Sequence, residues 1–350
     1  MKKKRNMGIV LCLLVCAVCV GCANKSKDTA KNDSLQEQAE GNLFAMNTYM
    51  TFQIHGSQAQ TALSEMEQMI QNLEELWSVT KENSDIYRIN HDAGKTVAVH
   101  EETAGLISFA LDMAEQTEGV IDPTIYPVLT EWGFTTNHKH VPDKNKILEL
   151  LTAVDYKKVE LEGNTVKVPE GVSLDMGAFG KGYTADLATE KLKEYGIESA
   201  LLSLGGNIQA VGSKPDGSDW KIGIQSPDGE GTIGMMEISD CAVVTSGAYE
   251  NNFTDEDGNV YGHILSTETG YPADTDLDSV TVVSAEGKLC DALSTALFIM
   301  GTEDAEKYWR LHGGFEMLLV TKKQKILVTK ALAEKFSVQD GQEELVEILE

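Results

Sequence analysis

Two hydrophobic periods alternate along this chain, and neither an all-helical nor an all-strand fold accommodates both. Leu63, Met66, Ile70, Leu73 and Trp77 recur at helical spacing through an otherwise polar segment, and Leu106, Ala110, Met113 and Ala114 repeat the pattern. Over 44–54 the apolar residues fall on alternate positions, at Phe44, Met46, Met50, Phe52 and Ile54, the period of one half-buried strand. Short strand-like runs follow at 200–204, 220–225, 242–245, 280–283, 317–321 and 326–329, with helix-like stretches at 183–195 and 290–300. The mixture predicts an α+β fold. No internal repeat and no Pro/Gly-rich linker divides it, so 43–350 is expected to fold as one domain.

Ahead of that domain, Lys2, Lys3, Lys4 and Arg5 precede an apolar run over 7–20, short for a membrane span but suited to an export signal. The run ends at Cys19-Val20-Gly21-Cys22, small residues before a cysteine as in a lipobox. Cleavage there makes Cys22 the lipidated first residue and residues 1–22 the signal with its cleavage site. The expected location is the cell membrane, with the lipid-anchored domain on the extracytoplasmic face. Residues 23–42 are polar and lack aromatics, which predicts a disordered tether.

The formal charge of −26 becomes −30 once the four leader cations are removed. A field of that sign repels polyanions and argues against nucleic-acid partners. An anionic small molecule would need local devices, such as helix-start amides or a metal ion. Four of the six cysteines lie in the leader or at its cleavage site; Cys241 and Cys290 remain, in apolar contexts that favour free buried thiols. There is no CxxC and no Cys/His cluster, so zinc and iron–sulfur sites have no support.

Candidate chemistry begins at 173–183, where Gly177, Gly180, Lys181 and Gly182 stand directly before a helix-like stretch. Glycines permit positive φ and close approach to a ligand, and a helix start offers free N–H groups that suit a phosphate. A second glycine turn, Leu204-Gly205-Gly206-Asn207, follows a strand. Asp291 and Thr295 are four apart, on one helix face, and with a backbone carbonyl they form a hard-oxygen set acceptable to Mg²⁺. Taken singly, Asp291 reads equally as an N-cap, Thr295 as a core hydroxyl, His263 as a structural histidine, and Asp122-Pro123-Thr124 as a turn.

Together and in order, these pieces resemble the ApbE family of flavin transferases. The resemblance runs from Met46-Asn47-Thr48 through Asp122-Pro123-Thr124, Trp132-Gly133-Phe134 and the segment from Asp175 to Tyr183. It continues through Leu204-Gly205-Gly206-Asn207, 220–227, 245–250, His263-Ile264 with Thr269-Gly270-Tyr271-Pro272, and 291–301. It implies an α+β fold related to the tunnelling fold, with mixed or antiparallel sheets and packed helices. It also implies FAD as donor, Mg²⁺ as metal, and FMN transfer to a Thr or Ser hydroxyl of an acceptor protein through a phosphoester, with AMP released. Acceptors of that kind are membrane redox subunits or secreted flavoproteins. By the same resemblance Asp291, Thr295 and the Ala178 carbonyl hold Mg²⁺. Met46, Asp175, Lys181 and Trp132-Gly133-Phe134 line the FAD site, and His263 lies near the reacting phosphates as first candidate for proton acceptor.

The chain departs from the family pattern at two places. Asn47 stands where a glycine is usual, and Thr80 where the family often carries tyrosine, leaving more room over the ligand. The family's acceptor motif is absent; Asp228-Gly229-Glu230-Gly231-Thr232 is the nearest match and continues wrongly. The chain is therefore expected to be the donor enzyme. A Mg²⁺-dependent FAD pyrophosphatase using water, or a non-enzymatic flavin-binding lipoprotein, are the alternatives; the retained Asp291–Thr295 pair favours an enzyme.

Overall fold

The computed structural model describes residues 37–136, 138–249 and 251–350. The leader, Cys22 and residues 23–36 of the tether lie outside the described residues. At the centre is a nine-stranded sheet, in the spatial order Gln38–Ala45, Thr48–His55, Ser199–Leu204, Asn207–Val211, Ala242–Gly247, Leu277–Ser284, Glu316–Thr321, Ile326–Thr329 and Val346–Leu349. Every neighbouring pair is antiparallel except the last, which is parallel. Two three-stranded sheets and a two-stranded ribbon, Asn252–Thr254 with Val260–Gly262, complete the strands among the described residues.

Both faces of the sheet's middle are covered, and the sequence carries the mark of it. Val244, Val280, Val282, Met317 and Leu319 join one core with the helix Gly287–His312; the alternate residues Val243, Val283, Leu318 and Val320 join another, with Trp220, Ile222 and Met236 of the smaller sheet. Strands buried on both sides read as continuous apolar runs, which is why these were visible in the sequence. The helices Ala59–Trp77 and Gly180–Glu194 cover the end of the sheet that starts with the hairpin. Leu63, Met66, Ile70, Leu73 and Trp77 are all buried, as their spacing predicts.

Three expectations are corrected. The alternation over 44–54 is a hairpin, not one strand: Gln38–Ala45 turns at Met46-Asn47 into Thr48–His55. Met46 and Asn47 have φ of 50° and 58°, left-handed values that asparagine tolerates in a glycine's place. Phe44 is consequently 69% exposed. The polar tether does not reach residue 42, because 38–42 pairs with 51–55. Ala39 and Gly41 supply the inward positions there, and side chains so small conceal the strand in the sequence. Finally, Asp291 is no N-cap, since Glu286 occupies that position. Cys241 and Cys290 are both free thiols. No helix among the described residues is long and apolar enough to cross a membrane.

Candidate active site

A cavity of about 580 Å³ opens where the hairpin turn, the end of the first long helix, the glycine segment and the Asp291 helix meet. That volume is in the range of small-molecule and cofactor sites. Met46, Thr80, Phe134, Asp175, Ala178, Lys181, His263, Asp291 and Thr295 all line it. Trp132 and Gly133 do not. The Trp132 side chain is fully buried in a small core with Val128, Ile147 and Leu265, and its indole N–H donates to the Gly270 carbonyl at 2.7 Å. Gly133, at φ 77°, lies so close to the His138 carbonyl that a Cβ would collide with it. Of that segment only Phe134 reaches the cavity, edge-on to His263 with ring centroids 6.4 Å apart.

The glycine segment is built differently from its sequence expectation. Gly177, Gly180 and Gly182 are absent from the positive-φ positions, and a Cβ on Gly182 would collide with the Gly287 carbonyl. Gly182 thus serves helix–helix approach. Gly205 and Gly206, by contrast, take φ of 62° and 97° in a turn against Thr48, and Gly205 lines the cavity.

At the helix start, Gly180 N donates to the Met176 carbonyl and Tyr183 N to that of Phe179. Between them the Gly182 N–H, one of the amides a helix start leaves without a partner in its own helix, donates to Asp291 Oδ2 at 2.8 Å. Ala178 and Asp291 both line the cavity at this helix start. Thr295 Oγ1 is 3.3 Å from Ser246 Oγ, which is 2.9 Å from Ser294 Oγ. A carboxylate and hydroxyls, with a backbone carbonyl such as that of Ala178, are the oxygen donors Mg²⁺ accepts. Among the described residues no three His, Cys, Asp or Glu side chains gather as a metal cluster, so a cation here would rely on one carboxylate, neutral oxygens and its ligand's phosphates.

The electrostatics point the same way. Glu74, Asp122, Asp175 and Asp291 line the cavity against Lys81 and Lys181. Lys81 is already paired with Glu74 at 3.2 Å and Glu75 at 2.7 Å. Burial pushes the Asp122 carboxyl above the usual range, opposed by hydrogen bonds from Thr124 and the Tyr156 amide. Burial also raises Asp175, opposed by the Gly177 N–H and the Lys181 charge. A diphosphate would find too little positive charge here without a cation to accompany it.

Sequence reasoning assigned no role to Ser246, Asn207, Lys81 or Thr267, all of which line the cavity. A serine ending the run Ala242-Val243-Val244-Thr245-Ser246 was the one available signal, since a polar residue at a doubly buried strand's end invites a partner.

Fold and cavity together define an α+β protein whose cavity sets Lys181 beside a cluster of oxygen donors. The ApbE family model matches residues 46–319, and the chain belongs to that family. It is 31% identical over 355 residues to the FAD:protein FMN transferase of Treponema pallidum (strain Nichols), covering 96% of this chain and 96% of that one. To the FAD:protein FMN transferase of Klebsiella pneumoniae (strain 342) it is 33% identical over 280 residues, covering 78% of this chain and 86% of the relative. The crystal structure of the ApbE protein of Thermotoga maritima superposes with a TM-score of 0.81 at 32% identity, covering 85% of this chain and 99% of that one.

Proposed function

We propose that this protein transfers FMN from FAD to a threonine or serine hydroxyl of an acceptor protein, with Mg²⁺ bound at Asp291, Thr295 and the Ala178 carbonyl. The acceptor oxygen bonds to the FMN phosphorus, the phosphoanhydride bond to AMP breaks, and AMP leaves with the electron pair. Membership of a family whose relatives are FAD:protein FMN transferases supports the reaction. The observation that carries the site is the bond from the Gly182 N–H to Asp291, which sets that carboxylate at the start of the helix bearing Lys181, with Ala178, Lys181, Asp291 and Thr295 all lining one cavity.

Lys181 binds and orients the diphosphate through its ammonium; the Phe179, Gly180, Gly182 and Tyr183 amides around it already donate within the protein. Met46, Thr80 and Phe134 flank the donor's rings. His263, on the cavity wall edge-on to Phe134, accepts the proton of the attacking hydroxyl through a ring nitrogen. Bound Mg²⁺ supplies neutralisation of charge on the phosphoryl oxygens. Cys22, lipidated after cleavage, anchors the domain to the outer face of the cell membrane, where membrane redox subunits or secreted flavoproteins are the acceptors.

Incubation with FAD and Mg²⁺, with and without an acceptor bearing the flavinylation motif, tests the reading. Flavin fluorescence travelling with the acceptor in a denaturing gel is the expected result. Free FMN and AMP in equal amounts, with no labelled acceptor, would replace transfer by hydrolysis.

A further inference from the structure

Two helices of this protein exchange aspartates across a contact made by glycines. Gly182 and Gly287, each in the first turn of its helix, lie backbone to backbone; a Cβ on Gly287 would come within 2.9 Å of the Gly182 carbonyl. Asp291, from the second helix, accepts the Gly182 N–H. Asp186, from the first, accepts the Gly287 N–H at 2.6 Å through one oxygen and the Lys288 N–H at 3.1 Å through the other. Each helix start thus receives a carboxylate from its neighbour, satisfying amides that have no partner within their own helix. Asp291 lines the cavity and Asp186 does not.

We propose that Asp186 is a positioning residue for the reaction: by gripping the start of the helix Gly287–His312, it sets how Asp291 and Thr295 are presented to the cavity. This rests on the FMN-transfer reading for the chemistry being positioned. The N-cap, Glu286, makes no side-chain bond to its own helix, and the first turn carries no acid. Asp186 supplies that cap from outside. Gly287 and Lys288 precede Asp291 by four and three residues, one helical turn, so a displaced start carries the carboxylate with it. Each of the two amides has its own carboxylate oxygen here. Asparagine offers one, and would turn its own N–H₂ toward a donor.

The test is Asp186→Asn in the full chain held in detergent, read by hydrogen exchange at the Gly182 amide and by steady-state transfer kinetics. A loosened grip predicts exchange of the Gly182 amide at least about tenfold faster and kcat lower by about ten- to a hundredfold, with KM for FAD little changed, since sub-ångström misplacement is costly only at the reacting centre. Asp186→Ser, which keeps one acceptor, replaces it if the asparagine variant does not fold. Unchanged Gly182 exchange and unchanged kcat per folded molecule overturn the proposal, whatever happens to the melting temperature. Should the wild-type enzyme label no acceptor, the reaction assigned above fails, while the Gly182 exchange still decides whether Asp186 sets the position of Asp291.

Discussion

The Lys181 ammonium lies 3.8 Å from Asp291 Oδ1, so, while Lys81 is held by Glu74 and Glu75, this second lysine of the cavity leans toward the carboxylate proposed to hold the metal. That separation is longer than a hydrogen bond, and it leaves the ammonium free to turn to a phosphate. Lys181→Ala is expected to weaken FAD binding by about tenfold, the order of one charge-assisted hydrogen bond in a part-exposed site. The melting temperature should barely move. Titration calorimetry with FAD checks this, and an unaltered dissociation constant removes Lys181 from the site.

The proposed anchor makes a prediction independent of the fold. Cys22→Ser leaves no thiol for lipidation, and the described domain begins well after it. The variant is expected to leave the membrane fraction while its FMN transfer per molecule stays the same. Membrane retention of the variant would defeat the lipoprotein assignment.

How far the sequence could be read follows from what each element does. The helix Ala59–Trp77 was legible because one face is buried, and the middle strands because both are. The hairpin was not, for a reason of parity. Its register pairs Phe44 with Tyr49 and Ala45 with Thr48, so partners differ by an odd number. The first strand therefore buries Ala39 and Ala45 while the second buries Met50, Phe52 and Ile54. An apparent single alternation ran through a turn that reverses which residues face inward. At the site, Asp291 and Thr295 share a helix face through local spacing. Asp186 and Gly287, 101 residues apart, meet only through the fold, and no spacing rule could have joined them.

Away from the cavity, Asp85 ties the helix Asp85–His91 to the start of Glu101–Gln116. Its buried carboxylate accepts from the His100 N–H at 2.8 Å, Thr103 Oγ1 at 2.7 Å and His100 Nδ1 at 3.0 Å, and pairs with Arg88. Burial opposes its ionisation, but these hydrogen bonds together outweigh burial and hold the carboxyl below the usual range. A carboxyl lowered in the folded state binds fewer protons there than in the unfolded chain. Its stabilising contribution is therefore present above the ordinary aspartate value and lost as pH falls through the depressed one. Asp85→Asn should lower the melting temperature at pH 7 and flatten its decline in acid. Parallel melting curves for both proteins from pH 7 down to pH 3 would exclude the network.

The decisive pair is Asp291 and Thr295. Asp291→Ala removes a carboxylate that both lines the cavity and accepts the Gly182 N–H, so two consequences must be separated. Loss of the hydrogen bond costs stability, on the order of 1–3 kcal/mol for a buried amide bonded to a charged acceptor. Loss of metal binding costs turnover, by about 10³-fold or more if charge neutralisation at the phosphoryl group goes with it. FAD affinity should suffer less, because the ring contacts proposed for Met46, Thr80 and Phe134 are untouched. Thr295→Val keeps the shape and removes only the hydroxyl near Ser246. Its defect should be milder and partly rescued by high Mg²⁺, since water can replace one neutral ligand. A purely structural Asp291 predicts another pattern, a lower melting temperature with the Mg²⁺ response of the remaining activity unchanged. Mg²⁺ titrations of turnover set beside melting curves for both variants distinguish the two, and a wild-type Mg²⁺ response in Asp291→Ala would remove this carboxylate from the metal site.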